Sequence, residues 1–138
     1  MCKFGDIIVV EEYIGDDGEK LKQHSFVVVR DEPGKIRGLN YDLVASVMSS
    51  FKSEEHRQKK LKYEENLEIT SEDIIGKYKN CKSGYIKADQ LFYFDKSRVN
   101  YYVLARIDED LMDELVQLVI ELDNKDKLKI NTQNLINA

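Results

Sequence analysis

A histidine stands at the start of one of the most apolar segments of the chain. In KQHSFVVVR, residues 22–30, His24 and Ser25 come directly before Phe26 and three valines. An imidazole exchanges protons near neutral pH, so His24 is a candidate general acid or base. The other interpretation is that His24 is the polar end of a buried strand and hydrogen-bonds its neighbours. The segment alone leaves both interpretations open.

Two basic stretches supply groups that could bind phosphate. KSEEHRQKKLK (52–62) has five Lys or Arg against two Glu, and KYKNCKSGYIK (77–87) has four Lys and no acid. Such cations can follow a nucleic-acid backbone, and interleaved tyrosines can stack on bases. A solvated charged surface is the alternative, and we expect His56 to lie in such a solvated loop. The candidate nucleic-acid-binding residues are Lys22, Lys52, Arg57, Lys59, Lys60, Lys62, Lys77, Tyr78, Lys79, Lys82 and Tyr85.

The charge of the whole chain limits how it could bind a polyanion. The net charge is −5, which argues against a protein that coats nucleic acid over its entire surface. Residues 108–123 carry seven acids and no base, whereas the middle of the chain is locally basic. This asymmetry permits one basic face. It also leaves open a protein that regulates a partner through an acidic helix and has no role with RNA.

Length and composition predict the class of protein. A chain of 138 residues suits one domain, 1–138. No apolar run is long enough to span a bilayer, and the N-terminus lacks the apolar core of a signal peptide. Cys2 and Cys81 are too few for a disulfide framework or a zinc site. We therefore expect a reduced cytoplasmic protein without a metal, a cofactor or a membrane anchor.

Patterns along the first half of the chain predict strands joined by turns. GDIIVVEEYIG (5–15) and HSFVVVR are predicted strands around an Asp17-Gly18 hairpin turn, the second strand being buried on both faces. Pro33-Gly34 predicts another turn. GLNYDLVASVMSSF fits helical spacing and also contains a strand-like run, so periodicity does not decide its structure. SEEHRQKKLKY has no apolar period and predicts a polar loop.

The second half predicts more strands and one helix. NLEI is a short strand candidate, SGYIKADQLFYFDKSRV suggests two strands broken or bent near Ala88-Asp89, and NYYVLARI is another strand. A helical apolar stripe follows, with Asp108 as its N-cap, and the polar tail 124–138 is expected to fray. The pattern predicts a compact, mostly antiparallel barrel, mostly β (α+β), capped by a C-terminal amphipathic helix.

Four stretches, taken in order, follow the pattern of a known family. FGDIIVV matches an opening strand, and the FVVV run after a polar loop matches a second strand. YIKADQLFYFDKSRV matches a strand pair, and VLARIDEDLMDELVQLVIEL matches a closing helix. Together they resemble the MazF/PemK (Kid-type) toxins of type II toxin–antitoxin systems over roughly residues 4–123. The third and fourth stretches are the most specific.

The resemblance implies both a fold and an activity. It implies an SH3-like antiparallel β-barrel, a homodimer, and a metal-independent endoribonuclease that cleaves single-stranded RNA without a cofactor. It makes DLVASVMSSF the third strand. It also implies a cognate antitoxin whose flexible peptide segment lies over the RNA groove.

The sequence departs from this family at its catalytic positions. An Arg-Pro pair usually precedes the second strand, and here it aligns with His24-Ser25. The family's Thr or Ser at the end of the third strand corresponds to Ser49 or Ser50, or to Met48 in another register. The catalytic candidates are therefore His24, Ser49 and Ser50. Two functions follow as hypotheses: a ribonuclease with histidine in the arginine's place, or a module that binds RNA or peptide without cutting.

Overall fold

A computed structural model describes residues 1–76 and 83–136, which form one main sheet, a small hairpin and three helices. The candidates Lys77, Tyr78, Lys79, Lys82 and Cys81 lie outside the described residues. The elements are β1 (Asp6–Ile14), β2 (Lys20–Arg30), β3 (Gly34–Ile36), β4 (Leu39–Tyr41), β5 (Leu43–Ser50), α1 (Glu54–Lys60), β6 (Asn66–Ile69), β7 (Ile74–Ile75), β8 (Gly84–Phe94), β9 (Tyr101–Ile107), α2 (Glu109–Asn124), β10 (Lys129–Asn131) and α3 (Gln133–Ile136).

The main sheet is antiparallel apart from one strand pair. Its order is β10-β8-β5-β2-β1-β9-β7, with β6 also paired to β8, and only the β10–β8 pair is parallel among the described strands. The sheet curls into a half-barrel. The predicted mostly β architecture with a C-terminal amphipathic helix is confirmed. The described helices all lack the length and apolar character that a bilayer-spanning helix needs.

The first hairpin forms as the sequence predicts. Gly18 adopts a φ of +83°, a left-handed conformation that glycine accepts without steric penalty. β1 and β2 pair from Ile7 opposite Val27 to Ile14 opposite Lys20, and Val10 lies opposite His24. Phe26, Val27 and Val28 are all 0% exposed, so this part of β2 is buried on both faces.

Alternate residues of the strands contribute to the two larger of three hydrophobic clusters among the described residues. Ile7, Val27 and Ile86 belong to the first cluster, which also holds Leu115 and Leu122 of α2. The second cluster is rich in aromatic rings, with edge contacts between Phe26 and each of Tyr13, Phe92 and Phe94. The period-2 alternation of a strand places neighbouring residues in different clusters.

The segment GLNYDLVASVMSSF and the predicted strand pair in SGYIKADQLFYFDKSRV both form strands. Residues 39–50 form β4 and β5, so the helical alternative is wrong. β8 is one long strand where two were predicted. Its register with β5 shifts between the Ser46–Leu91 and Met48–Ile86 pairs, which is where the break near Ala88-Asp89 was expected.

Two predictions about connecting segments are wrong. Residues 54–60 form a helix, because Ser53 caps it by accepting from the His56 N–H and its acids precede its bases along the dipole. The tight turn lies at Arg37-Gly38 and not at Pro33-Gly34, since Gly34 already belongs to β3.

The C-terminal tail is ordered and not frayed. β10 pairs with β8, and Asn134 and Leu135 of α3 are buried. The Asn134 side chain accepts from the Ile14 N–H at 2.7 Å and donates to the Ile14 carbonyl at 3.0 Å. These hydrogen bonds occupy both backbone groups of Ile14, so the polar character that suggested disorder instead supplies the docking contacts.

Candidate functional site

A cleft brings the three predicted catalytic residues together. β2 and β5 are neighbours, and Phe26 lies opposite Val47. His24 precedes Phe26 by two residues and Ser49 follows Val47 by two, so both stand at the same end of the strand pair. The cleft has a volume of about 410 Å³ and is lined by Ile7, Gln23, His24, Ser25, Met48, Ser49, Ser50, Ile74, Gly84 and Leu104.

One hydrogen bond fixes the role of each His24 nitrogen. Nε2 lies 2.5 Å from the Met48 carbonyl oxygen, and because a carbonyl only accepts, Nε2–H is the donor. In the neutral ring Nδ1 is then the nitrogen that carries the free lone pair. The ring also makes edge contacts with Tyr13 and Phe26, each at a centroid distance of 6.3 Å. These contacts hold the imidazole in one orientation.

The serines of the cleft are available to a ligand. Ser49 is half-buried and Ser50 is exposed. Within residues 1–76 and 83–136, the hydroxyls of Ser25, Ser49 and Ser50 have no hydrogen-bond partner. Gly84 allows β8 to begin directly against them, because a Cβ there would collide with the Ser49 carbonyl oxygen. Each hydroxyl can therefore donate a hydrogen bond to an anion in the cleft.

Cationic side chains do not line the described part of this cleft. Its charged neighbours in the sequence are Lys22 and Lys52, which are exposed and flank the cleft residues in the chain. Any anion bound in the cleft would therefore depend on hydroxyl donors and on lysines reaching in from outside the lining.

Most of the predicted basic track lies on α1 or directly after it. Lys59 and Lys62 are exposed, and Lys60 is half-buried. Arg57 donates from Nε and Nη2 to the two oxygens of Glu68 at 2.7 and 3.1 Å, and from Nη1 to Glu54 at 3.1 Å. The Glu68 carboxylate raises the pKa of Arg57. Since two carboxylates offset its charge, Arg57 is poorly suited to bind phosphate.

Tyr85 is buried and not accessible to a nucleic-acid base. It is 3% exposed, and its ring stacks on Phe51 at a centroid distance of 5.2 Å. The expectation that Tyr85 stacks on nucleic acid is therefore contradicted by its burial. Its side chain helps to seat α1 on the sheet.

His56 is not a solvated loop residue. Its Nδ1 accepts a hydrogen bond from the Lys52 N–H at 3.1 Å, and its ring lies 6.3 Å from those of Phe51 and Tyr85. Burial lowers the pKa of His56, and the charges of Lys60, Lys52 and Lys59 lower it further. The residue stabilises the junction of β5 and α1.

A second cleft was missed by the sequence reasoning. It is lined by Lys60 together with Tyr63, Lys87 and Lys129. Lys87 could have been found, because it follows Tyr85 by two residues in a predicted strand and so shares its face. Lys129 gave no local signal, since β10 is a short strand in a polar tail.

Comparisons with known proteins do not place the chain in a family. No family model matches it, and no curated relative matches it. Within the described residues, no group of three or more His, Cys, Asp or Glu is arranged to hold a metal ion.

Proposed function

We propose that the chain is a MazF/PemK-like toxin, a metal-independent endoribonuclease that cleaves single-stranded RNA in the cytoplasm. The proposal includes an SH3-like barrel of that type, a homodimer, and a cognate antitoxin whose peptide segment covers the RNA groove. One observation carries it. His24, Ser49 and Ser50, which the resemblance assigns to catalysis, come from different strands and line one cleft.

The arrangement of His24 suits the proton transfer that RNA cleavage requires. With Nε2–H bonded to Met48, Nδ1 takes the proton from a ribose 2′-hydroxyl. The 2′-oxygen then forms a bond to phosphorus while the bond from phosphorus to the 5′-oxygen breaks, and water protonates the leaving oxygen. The products are a 2′,3′-cyclic phosphate and a 5′-hydroxyl.

The serines and outlying lysines would stabilise the charge that develops. Ser49 and Ser50 donate hydrogen bonds to the non-bridging phosphate oxygens. Lys22 and Lys52, which are exposed and adjoin the cleft residues in the sequence, would supply positive charge in the place of the family's arginine. Serine is not the nucleophile in this scheme, because the 2′-hydroxyl of the substrate fills that role.

A second candidate function is binding of RNA or an antitoxin-like peptide without cleavage. Two observations favour it: the described lining of the cleft lacks a cation, and one His24 nitrogen is occupied by the Met48 carbonyl. In this second function His24 would be a structural residue that links β2 to β5 through its hydrogen bond to Met48.

The deciding experiment is cleavage of end-labelled single-stranded RNA in EDTA by purified wild type, His24→Gln and Ser49→Ala. We expect wild type to release fragments ending in cyclic phosphate, and His24→Gln to be slower by about 10²–10⁴-fold, the typical contribution of a general base. Lys35→Gln is the control, since Lys35 is exposed on the separate β3–β4 hairpin and does not line the cleft, and it should retain activity. Wild type that binds RNA of varied sequence but leaves it intact would establish the second function instead.

A further inference from the structure

The cleft that sequence reasoning missed lies between α1, β6, β8 and β10. We call it the lysine groove and define it by Lys60, Tyr63, Asn66, Lys87, Asp89 and Lys129. Its volume is about 240 Å³, below the 300–1,000 Å³ that is usual for pockets holding drug-sized ligands. Lys87 and Asp89 project from one face of β8, while α1 and β10 each bring one lysine to the same place. The groove therefore suits a small charged group with the rest of its ligand outside.

Positive charge is in excess around Lys87. Lys129 pairs with Asp89 at a distance of 4.0 Å, whereas Lys60 and Lys87 have no carboxylate within ion-pair distance among the described residues. Glu65 also lines the groove, so three ammonium groups face two carboxylates. Burial lowers the pKa of Lys87, and Lys60 and Lys129 lower it further while Asp89 acts in the opposite sense. Burial raises the pKa of Asp89, while the charges of Lys129 and Lys87 act in the opposite sense.

This arrangement would be stabilised by an anion. A half-buried ammonium group that faces two like charges is unfavourable in the free protein, and a bound anion removes both the repulsion and part of the desolvation penalty. A phosphate group presents several oxygens at once, so it can meet more than one ammonium group, as lysines do in other phosphate sites. Carboxylate ligands offer only two oxygens.

An aromatic ring stands at the edge of the groove. Tyr63 is 51% exposed, and unlike Tyr85 it leaves ring surface accessible to a ligand. Base–aromatic stacking needs such a free face and works with any base. We propose that the lysine groove is a nucleotide-binding subsite, in which Lys60, Lys87 and Lys129 hold a phosphate group and the base stacks on Tyr63. The subsite does not depend on whether His24 cleaves RNA.

The test measures binding of three probes to the full chain: inorganic phosphate, AMP and a short uridine oligomer. Lys87→Met removes the half-buried charge and keeps the unbranched stem, and Lys60→Gln removes a second charge of the groove, at the end of α1, should Lys87→Met fold poorly. Lys35→Gln is the matched control, because Lys35 is exposed on the separate β3–β4 hairpin. Tyr63→Ala separates stacking from charge.

We expect Lys87→Met to weaken AMP binding by about tenfold or more, the effect of losing a charge-assisted hydrogen bond, and Lys35→Gln to leave it unchanged. Tyr63→Ala should weaken AMP by about fivefold or more and spare inorganic phosphate. Tighter binding of the oligomer than of AMP would show that the subsite takes a nucleotide within an RNA chain. Tighter binding of AMP would show that it takes a free nucleotide. The proposal is overturned if no probe binds, if Lys87→Met and Lys35→Gln bind alike, or if inorganic phosphate alone binds.

Discussion

The two residues with the clearest chemical consequences owe them to different environments. His24 is held by a hydrogen bond to Met48 and two ring contacts, so its surroundings decide which nitrogen is available. Lys87 is distinguished by having no described carboxylate within ion-pair distance, although Asp89 lines the same groove. A side chain held in one orientation suits proton transfer, whereas a charged side chain without an ion pair suits the binding of a ligand of opposite charge.

Lys87 should lower the stability of the free protein at neutral pH. Its pKa is lowered by burial and by neighbouring lysines, so the folded state holds the ammonium form less well than the unfolded state does. We expect Lys87→Met to raise the free energy of unfolding in urea, by less than about 1 kcal/mol because the side chain is only half-buried. A functional group that reduces stability is common at binding sites.

The pH dependence of that difference gives an independent check. Because the folded-state pKa of Lys87 is below the ordinary value of 10.5, wild type gains stability as pH rises from the folded-state pKa to 10.5. The methionine variant does not gain it, so its advantage should narrow over that window. Lys35→Met should show little change at any pH. A variant that is less stable than wild type at neutral pH would contradict the account.

At the scale of elements, short polar segments proved to be structured. α1 buries none of its residues completely, yet it has a serine cap, acids in its first turn and bases in its last. These features stabilise α1 although it has no apolar period. Packing comes from outside the helix, because His56 contacts the stacked rings of Phe51 and Tyr85. The C-terminal segment is held in a similar way, through asparagine side chains and the carbonyl of Leu135, which accepts from Arg98 at 2.7 Å.

Asn134 should be the main anchor of the C-terminal segment. Its side chain satisfies both backbone groups of Ile14, and it is only 5% exposed. We expect Asn134→Ala to lower the free energy of unfolding by about 1–3 kcal/mol, because the half-buried Ile14 N–H loses its acceptor, while the Ile14 carbonyl keeps a hydrogen bond from Asn131. Hydrogen exchange of the Ile14 amide should become faster.

The exposed Asn40 of β4 provides the control for that change. Asn40→Ala should alter stability by less than about 0.5 kcal/mol, as surface substitutions usually do. Equal effects of the two variants in urea unfolding would show that the segment is not anchored through Asn134.

At the scale of the whole molecule, the main sheet contributes side chains to both of the larger hydrophobic clusters. Leu115 of α2 packs in the first cluster and Phe26 of β2 in the second, and both are 0% exposed. β1, β2, β5 and β8 contribute to both clusters or to their partly buried margins, so neither cluster can lose its packing alone. The described domain should therefore unfold as one cooperative unit.

Variants in the two clusters test that cooperativity. Leu115→Ala should cost about 2–5 kcal/mol and Phe26→Ala about 3–5 kcal/mol, from lost transfer energy and the cavity left behind. Unfolding followed by far-ultraviolet circular dichroism and by the fluorescence of the eight tyrosines should give one coincident transition for each variant. Ile120→Ala, at a site 47% exposed, should have a small effect. Separate transitions in either core variant would mean that the clusters unfold independently.

Short-range signals in the sequence are enough to specify the elements that depend on near neighbours. The Asp17-Gly18 turn, the apolar run of β2 and the Asp108 cap of α2 are short-range signals, and each produced the predicted element. The polar tail and α1 were misjudged because their stability comes from contacts with residues distant in the chain.

Which side chains meet depends on tertiary packing. The pairing of β2 with β5 brings His24 to Ser49, and the position of α1 and β10 beside β8 gathers Lys60, Lys87 and Lys129. The same packing buries Tyr85 and leaves Tyr63 exposed. Pattern along the chain specifies local conformation through nearest-neighbour sterics and hydrogen bonds, whereas sites arise from strand register and packing, which bring together residues that share no local signal.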